Sequence, residues 1–210
     1  MPIKKIAIYG GSFNPPGKHH IKAVKLLARK FDRVIVVPCG GRGDKNSSQL
    51  ISNEDRAELI RLAFESISGV AVDFSDIYKS EFTRTYDLDK KYQAMFFLDD
   101  IYHVVGGDLV TNGASDQSEI QTSWYKGKQL WEKLNFIVLA RKGYEFNQFD
   151  LPPKAHKFRT NFPGSSTEIR KNLYNNESIK RLVSKQVAQY IFDNKLYFNN
   201  QPNREVLCTS

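Results

Sequence analysis

Apolar residues near the start of the chain follow two alternating patterns. Continuous apolar runs at residues 6–9 and 34–37 end at Gly10 and Pro38, as buried parallel strands usually do. Between these runs, apolar residues recur at steps of three and four over residues 21–31, which places an apolar stripe on one face of a helix. The chain is therefore predicted to begin with a strand, a loop, a helix and a second strand.

The same alternation continues along most of the remaining sequence. It predicts further strands and helices, with strands at residues 70–74, 102–105, 136–140 and 157–159 and helices at 54–65, 86–98, 123–134, 167–174 and 179–194. Ser52, with Asp55 three residues later, is the predicted N-terminal cap of the first of these helices. Apolar strands between helices indicate an α/β fold, a Rossmann-like open parallel sheet with helices on both faces and a small helical part at the C-terminus. We expect one domain over residues 1–198 and a mobile polar tail over residues 199–210.

Composition and charge narrow the choice of partners. The sequence contains no run of eighteen apolar residues and no signal peptide, which favours the cytoplasm and speaks against a membrane partner. The net charge of +8 indicates anionic ligands, but it is spread over helical segments without a nucleic-acid-binding motif, so small phosphorylated molecules are favoured. Cys39 and Cys208 lie far apart, so neither a structural disulfide nor a zinc site is expected. The oligomeric state stays open, a homo-oligomer included.

The loop over residues 10–20 follows the first predicted strand and leads into the first helix. Its glycines and prolines keep the backbone irregular just before a helix N-terminus, which is a natural binding site for phosphate. Neither the dinucleotide fingerprint GxGxxG nor the P-loop pattern GxxxxGK[ST] is present. Instead, Lys18, His19 and His20 bring three candidate cations to the start of the helix, a set that suits a polyphosphate gaining charge during a reaction.

A second informative segment, Gly-Ser-Ser-Thr-Glu-Ile-Arg, covers residues 164–170. Ser165, Ser166 and Thr167 are suited to cap a helix and to donate hydrogen bonds to phosphate oxygens. Arg170, three residues further on, lies on the same side of the first helical turn. The segment therefore predicts a second group of phosphate-binding donors near the end of the chain.

Both segments resemble the nucleotidyltransferase superfamily with the signatures G-x-F-[DN]-P-x-H-x-G-H and [IV]-S-[ST]-T-x-[IL]-R, which includes nicotinate and nicotinamide mononucleotide adenylyltransferases. The first signature is matched at Gly11, Phe13, Asn14, Pro15 and His20. The chain departs from it at Gly17 and His19, reading G-K-H-H for H-x-G-H. In one interpretation His19 or Lys18 supplies the lost phosphate contact; in the other the site binds nucleotide without turnover. We favour the first, because cationic donors are retained one and two residues away.

The resemblance extends to about residue 197 and implies a set of site residues. It covers the G-x-D pattern at residues 106–108, the R-x-G-Y pattern that begins at Arg141, and a basic loop at residues 40–45 that contains Arg42. It assigns nucleotide binding to Gly10, Gly11, Ser12, Phe13, Asn14, Lys45, Gly106, Asp108, Ser165, Ser166 and Thr167. It assigns the acceptor to Thr85, Tyr86, Asp87, Trp124 and Arg141.

The resemblance also implies a reaction. The acceptor's phosphate attacks the α-phosphorus of ATP in line and pyrophosphate leaves, with Mg²⁺ bridging phosphate oxygens and no metal held by the protein alone. In this scheme His20, Lys18 and His19 contact the α- and β-phosphates, and Arg170 contacts the departing pyrophosphate together with Ser165 and Ser166.

The expected acceptor is a pyridine mononucleotide, either nicotinate or nicotinamide mononucleotide. Because a carboxylate at Asp87 would repel the acid and accept a hydrogen bond from the amide, our hypothesis is that the amide is preferred. Two alternatives stay open. One is another nucleotidyltransferase of the superfamily, using a different phosphomonoester or CTP, and the other is a nucleotide-binding protein without turnover.

Overall fold

Parallel strands form one six-stranded sheet. The computed structural model describes residues 2–41, 50–141, 147–160 and 162–198, so the predicted tail lies outside the described residues. The strands are β1 (Lys5–Gly11), β2 (Arg33–Pro38), β3 (Val70–Val72), β4 (Asp100–Gly106), β5 (Asn135–Arg141) and β6 (Ala155–Thr160). Their order in the sheet is β3–β2–β1–β4–β5–β6. The order reverses between β1 and β4, and open sheets of this kind bind ligands at that point, beyond the carboxyl ends of the strands.

Helices connect the strands and cover both faces of the sheet. They are α1 (Lys18–Ala28), α2 (Asn53–Phe64), α3 (Thr85–Met95), α4 (Glu119–Ser123), α5 (Gly127–Lys133), α6 (Ser166–Tyr174) and α7 (Lys185–Asp193). Ser52 caps α2 as predicted, because its hydroxyl accepts a hydrogen bond from the Asp55 N–H at 2.9 Å. Within the described residues, no helix is long and apolar enough to cross a membrane.

The core lies on both faces of the sheet, because strand side chains alternate between the faces. On one face, buried residues of β1, β2 and β4 pack against α1, α2, α6 and α7, with members such as Ala7, Val36, Leu27 and Ile169. On the other face, strand residues pack against α3 and α5 in two smaller clusters. The predicted α/β fold with a parallel sheet between helical layers is therefore confirmed.

One predicted helix is wrong because the structure divides it in two. The sequence pattern predicts a helix over residues 123–134, but α4 ends at Ser123 and α5 begins at Gly127. Lys126 between them has a left-handed backbone with φ 55°. The chain also packs too tightly there for a larger residue, since a Cβ on Gly127 would lie 1.9 Å from the carbonyl oxygen of Ile120.

Other predicted boundaries are also wrong: the helix predicted to end at residue 98 ends at Met95, and polar side chains set two further boundaries. The predicted helix over residues 179–194 begins only at Lys185, where the Ser184 hydroxyl caps α7 by accepting from the Val187 N–H at 3.3 Å. The predicted strand over residues 70–74 ends at Val72, because the next residue, Asp73, caps a 3₁₀ turn over Phe74–Asp76. In both cases a polar side chain bonds to a nearby backbone N–H and sets the boundary.

Candidate functional site

The loop after β1 closes tightly on the first turn of α1. Phe13 is buried in a left-handed backbone conformation with φ 46°, and its ring meets the rings of Tyr9 and His20 edge-on. The Gly17 N–H donates a hydrogen bond to Nδ1 of His20 at 3.1 Å. Because Nδ1 is an acceptor in this bond, the proton of the neutral imidazole is on Nε2, which is then a donor at the start of the helix.

The His19 side chain fills the space beside Gly17. A Cβ on Gly17 would lie 2.6 Å from both Cε1 and Nδ1 of the His19 ring. The backbone at Gly17 has φ −95°, so space rather than backbone conformation requires glycine here. The His19 ring is 5% exposed and its centroid lies 3.9 Å from that of His20. The chain departs from the superfamily signature at positions 17 and 19, and these two residues therefore share one space: the His19 ring occupies the room that a side chain at position 17 would need.

The two segments singled out in the sequence meet through direct hydrogen bonds. The Ser166 hydroxyl donates to the carbonyl of Pro15 at 2.9 Å, and the Arg170 guanidinium donates to the carbonyl of Asn14 at 2.6 Å. Ser165 caps α6 by accepting from the Glu168 N–H at 3.1 Å. Burial lowers the pKa of Arg170, but a guanidinium keeps its charge at any physiological pH. The N-termini of α1 and α6 thus lie at the same loop.

A contact that the sequence analysis missed supports this loop from a third side. The Tyr197 hydroxyl forms a short hydrogen bond with the side-chain oxygen of Asn14. Burial is the main reason that the pKa of Tyr197 is raised above its ordinary value, so the phenol stays protonated and can donate. The tyrosine lies 183 positions further along the chain. No local pattern around residue 197 could have indicated this partner.

A cavity of about 600 Å³ opens at the carboxyl ends of β1, β2 and β4. Four residues predicted from the sequence line its wall: Gly10 and Gly11 from the nucleotide set, and Thr85 and Trp124 from the acceptor set. The structure therefore brings together parts of both predicted sets at the point where the strand order reverses. A volume of this size is in the range of small-molecule sites.

Other predicted residues lie away from this cavity wall. The Lys18 ammonium donates to the carbonyl of Lys180 at 2.9 Å and lines a second cavity, of about 520 Å³, beside α7. Asp87 is exposed in the first turn of α3, and Asp108 is exposed beyond β4. Tyr86 accepts a hydrogen bond from the Lys126 ammonium at 2.9 Å.

The remaining predicted positions are in β5, in α6, in the loop after β1 or outside the described residues. Arg141 is the last residue of β5, and Thr167 lies in the first turn of α6 with its hydroxyl 3.3 Å from the Arg170 guanidinium. The Ser12 hydroxyl lies 3.6 Å from the Cys39 sulfur. Arg42, Lys45 and Cys208 lie outside the described residues.

Asp76 joins two walls of the cavity and was not found from the sequence. Its carboxylate accepts from the N–H groups of Gly40 at 3.0 Å and Thr83 at 3.1 Å, and it forms an ion pair with Lys79 at 3.1 Å. The side chain is buried, and a short hydrogen bond from the Thr83 hydroxyl completes its set of partners. Asp76 thus fixes the loop after β2 to the segment that leads into α3.

Replacing Asp76 with asparagine should lower stability in a pH-dependent way. Burial alone would raise the pKa of Asp76, but the hydrogen bonds from Thr83 and Gly40 and the contact with Lys79 outweigh burial, so the pKa is lowered. A lowered folded-state pKa gives stability that is complete above the unfolded pKa, near 4, and is lost as pH falls through the folded pKa. We expect Asp76→Asn to lower the free energy of unfolding at pH 7 by about 1–3 kcal/mol, with the difference shrinking in acid.

Denaturant unfolding from pH 7 to pH 2 measures this effect. Asp87→Asn is the matched control, because Asp87 is exposed and should change stability by about 0.5 kcal/mol or less. An Asp76→Asn protein as stable as the parent at pH 7 would contradict the role given to these contacts.

The described residues contain no group of three or more His, Cys, Asp or Glu side chains placed to hold a metal ion. Magnesium in nucleotide sites is usually held by one or two carboxylates together with substrate phosphates. A metal in this cavity would therefore depend on phosphates for most of its ligands.

Comparison with known proteins gives consistent matches over nearly the whole chain. The family model described as cytidylyltransferase-like matches residues 8–172. A probable nicotinate-nucleotide adenylyltransferase of Acholeplasma laidlawii is 32% identical over 205 residues, covering 91% of this chain and 97% of the relative. A protein of the same description from Listeria monocytogenes is 27% identical and covers 92% of this chain and 97% of the relative.

A solved structure matches in the same way. The structure of Plasmodium falciparum nicotinic acid mononucleotide adenylyltransferase complexed with NaAD has a TM-score of 0.75 and 26% identity. The match covers 92% of this chain and 97% of that one.

Proposed function

This chain belongs to the cytidylyltransferase-like family, and we propose that it transfers the AMP part of ATP to the phosphate of a pyridine mononucleotide. The nucleotidyltransferase resemblance drawn from the sequence is confirmed by this membership. Relatives described as nicotinate-nucleotide adenylyltransferases, each aligned over about nine-tenths of this chain, support the reaction.

The observation that carries the proposal is the pair of hydrogen bonds from Ser166 and Arg170 to the loop that follows Gly10 and Gly11. That loop begins in the cavity wall, and it is joined by the N-termini of two helices. Helix N-termini and a guanidinium favour polyanions, so the arrangement suits a triphosphate next to an acceptor. The acceptor occupies the cavity, and the triphosphate lies along the loop.

The chemistry requires positioning and charge stabilisation. An oxygen of the acceptor's phosphate attacks the α-phosphorus of ATP, the bond from that phosphorus to the bridging oxygen breaks, and pyrophosphate leaves with the electron pair. The Nε2–H of His20 donates a hydrogen bond to a phosphate oxygen, and the His19 ring also contacts the α- and β-phosphates. Arg170, Ser165 and Ser166 stabilise the departing pyrophosphate. Lys18 contributes only if its ammonium leaves the Lys180 carbonyl.

Magnesium arrives as part of the substrate. The described residues hold no preformed cluster of metal ligands, which fits an ion held mainly by the phosphates of ATP. The protein's own contribution is then the set of N–H, imidazole and guanidinium donors that orient those phosphates. The cytoplasmic location stays a prediction from the sequence.

The acceptor is nicotinate mononucleotide, a revision of the preference for the amide inferred from the sequence. That preference required a contact with Asp87, which is exposed and does not line the cavity. Arg84 and Thr85 do line it, at the N-terminus of α3, and the Arg84 guanidinium lies 5.0 Å from the centre of the Tyr125 ring. A helix N-terminus beside a guanidinium favours a carboxylate over an uncharged amide.

Initial rates of pyrophosphate release from ATP test the acceptor and its form. The acid should be turned over at least tenfold faster than the amide at limiting concentration, a difference of about 1.4 kcal/mol. Asp87→Asn should leave the ratio between the two forms within about twofold, because the side chain does not reach the cavity. A faster reaction with the amide, or a ratio that changes in Asp87→Asn, would restore the hypothesis drawn from the sequence.

The same assay separates the alternatives. Faster turnover with another phosphomonoester, or with CTP in place of ATP, would assign the chain to a different reaction of the superfamily. Calorimetric binding of ATP without pyrophosphate release with any acceptor would identify a nucleotide-binding protein without turnover.

A further inference from the structure

The wall of the cavity contains a buried histidine that the proposed reaction does not use. His103 belongs to β4, is 4% exposed and lines the cavity. Its Nε2 lies 2.9 Å from a carboxylate oxygen of Asp89, a residue of α3. A polar ring in a wall of otherwise apolar strand residues, such as Ile8 and Val105, calls for a physical reason.

The contact with Asp89 fixes the tautomer of the ring. An ionised carboxylate only accepts hydrogen bonds, so in the neutral imidazole the proton is on Nε2. Nδ1 then carries a lone pair and accepts. Among the described residues, Nδ1 of His103 has no hydrogen-bond partner, and the side chain borders the cavity. In its neutral form the ring therefore presents an acceptor to the cavity that suits an O–H donor.

The depth of the ring suggests which part of the acceptor it meets. His103 pairs in register with Ile8, two residues before Gly10, which places it about 7 Å below the glycines at the carboxyl edge. If the acceptor's phosphate lies at Gly10 and its base lies near Trp124 and Thr85, the ribose between them is the part that carries free hydroxyl groups. Asp108, which the family resemblance assigns to the nucleotide, is exposed and does not line the cavity.

We propose that His103 is a specificity-determining residue that accepts a hydrogen bond from a ribose hydroxyl of the acceptor, with Asp89 as the positioning residue that sets its tautomer. This inference rests on the proposed function, because it assumes a mononucleotide acceptor in the cavity.

Paired changes in the enzyme and the acceptor test this contact. In His103→Gln, the side-chain amide reaches the position of Nε2 and keeps the contact with Asp89, but it leaves nothing at the position of Nδ1. With the parent enzyme, removing the 2′- or the 3′-hydroxyl of the acceptor should lower kcat/KM roughly tenfold. With the acceptor that keeps both hydroxyls, kcat/KM of His103→Gln should be lower than that of the parent by a similar factor. With the deoxy acceptor that the parent uses poorly, kcat/KM of His103→Gln should fall no further. The KM for ATP should change by less than about twofold.

Three further variants separate recognition from folding. In Asp89→Leu no acceptor fixes the ring proton on Nε2, so the preference for the hydroxyl should weaken, whereas in Asp89→Asn the amide oxygen can still accept from Nε2–H and should keep that preference. His156→Leu, on the exposed surface of β6, should change nothing. Deoxy forms of ATP should affect the parent and His103→Gln equally, which assigns the hydroxyl to the acceptor rather than to ATP.

The outcomes distinguish this inference from the proposed function. If no pyridine mononucleotide is turned over, the proposed function fails. The other case is that the parent enzyme turns over a pyridine mononucleotide, but the losses of kcat/KM from His103→Gln and from the deoxy acceptor multiply. The His103 ring and the acceptor's hydroxyl then do not touch, and this inference is wrong.

Discussion

Replacing His20 or Arg170 with alanine is expected to lower kcat for pyrophosphate release at least tenfold, or about 1.4 kcal/mol or more in each case. His20 supplies an Nε2–H donor at the start of α1, because its Nδ1 accepts from the Gly17 N–H. Arg170 supplies a charge that the alanine variant loses entirely. In the proposed reaction both groups act on charge that grows as pyrophosphate leaves, so kcat should fall more than the KM for ATP rises.

Controls on the same helices separate catalysis from folding. Lys25→Ala, on an exposed face of α1, and Lys171→Ala, next to Arg170 and exposed, should keep kcat within about twofold. Because Arg170 also holds the Asn14 carbonyl, melting temperatures are needed beside the rates. A folded His20→Ala or Arg170→Ala enzyme with unchanged turnover would remove that residue from the reaction.

The fold was predictable because its determinants are local and repeated. Buried parallel strands are continuous apolar runs, and the helices between them carry one apolar stripe, so the order of elements follows from periodicity. Caps were visible too, since Ser52 and Ser165 each accept a hydrogen bond from an N–H three residues later. The predicted cap residues therefore mark real helix starts.

The parts that could not be predicted depend on contacts between distant residues. The break after Ser123 follows from the close approach of Gly127 to Ile120, which the helical spacing of nearby apolar residues does not reveal. The direction of the Lys18 side chain depends on the carbonyl of Lys180, more than a hundred residues away. Residue spacing specifies faces of helices and strands, but not which distant group a long polar side chain meets.

The carboxylate of Asp76 shows the same limit at the site itself. A single acidic residue in a polar segment has no pattern that marks it as buried, yet it holds Gly40 and Thr83 in place. Asp87, whose position in the sequence suggested a contact with the acceptor, is exposed, and its role stays a prediction. Both residues are aspartates within a short stretch of chain, and only the packing distinguishes their roles.

Exchanging the residues at positions 17 and 19 should reveal whether His19 replaces the missing histidine of the signature. Gly17→His alone should lower kcat about a hundredfold, because its Cβ would lie 2.6 Å from the His19 ring. His19→Gly alone should lower kcat by a similar factor, because the imidazole is lost. The double variant Gly17→His/His19→Gly removes the clash with the ring, leaves Cδ1 of Ile169 3.0 Å from the new Cβ, and returns an imidazole there, so its kcat should recover to within about tenfold of the parent.

The recovery of kcat in the double variant is the decisive quantity. If the two substitutions caused independent defects, their losses of kcat would multiply instead. The backbone of Gly17 accommodates any residue, so Gly17→Ala in the His19→Gly background should fold and serves as the control that fills the space without an imidazole. Melting temperatures and kcat of all five proteins, the parent included, separate packing from chemistry. A double variant no faster than its slower single variant, or a His19→Gly enzyme as fast as the parent, would mean that His19 fills space beside Gly17 without contacting phosphate.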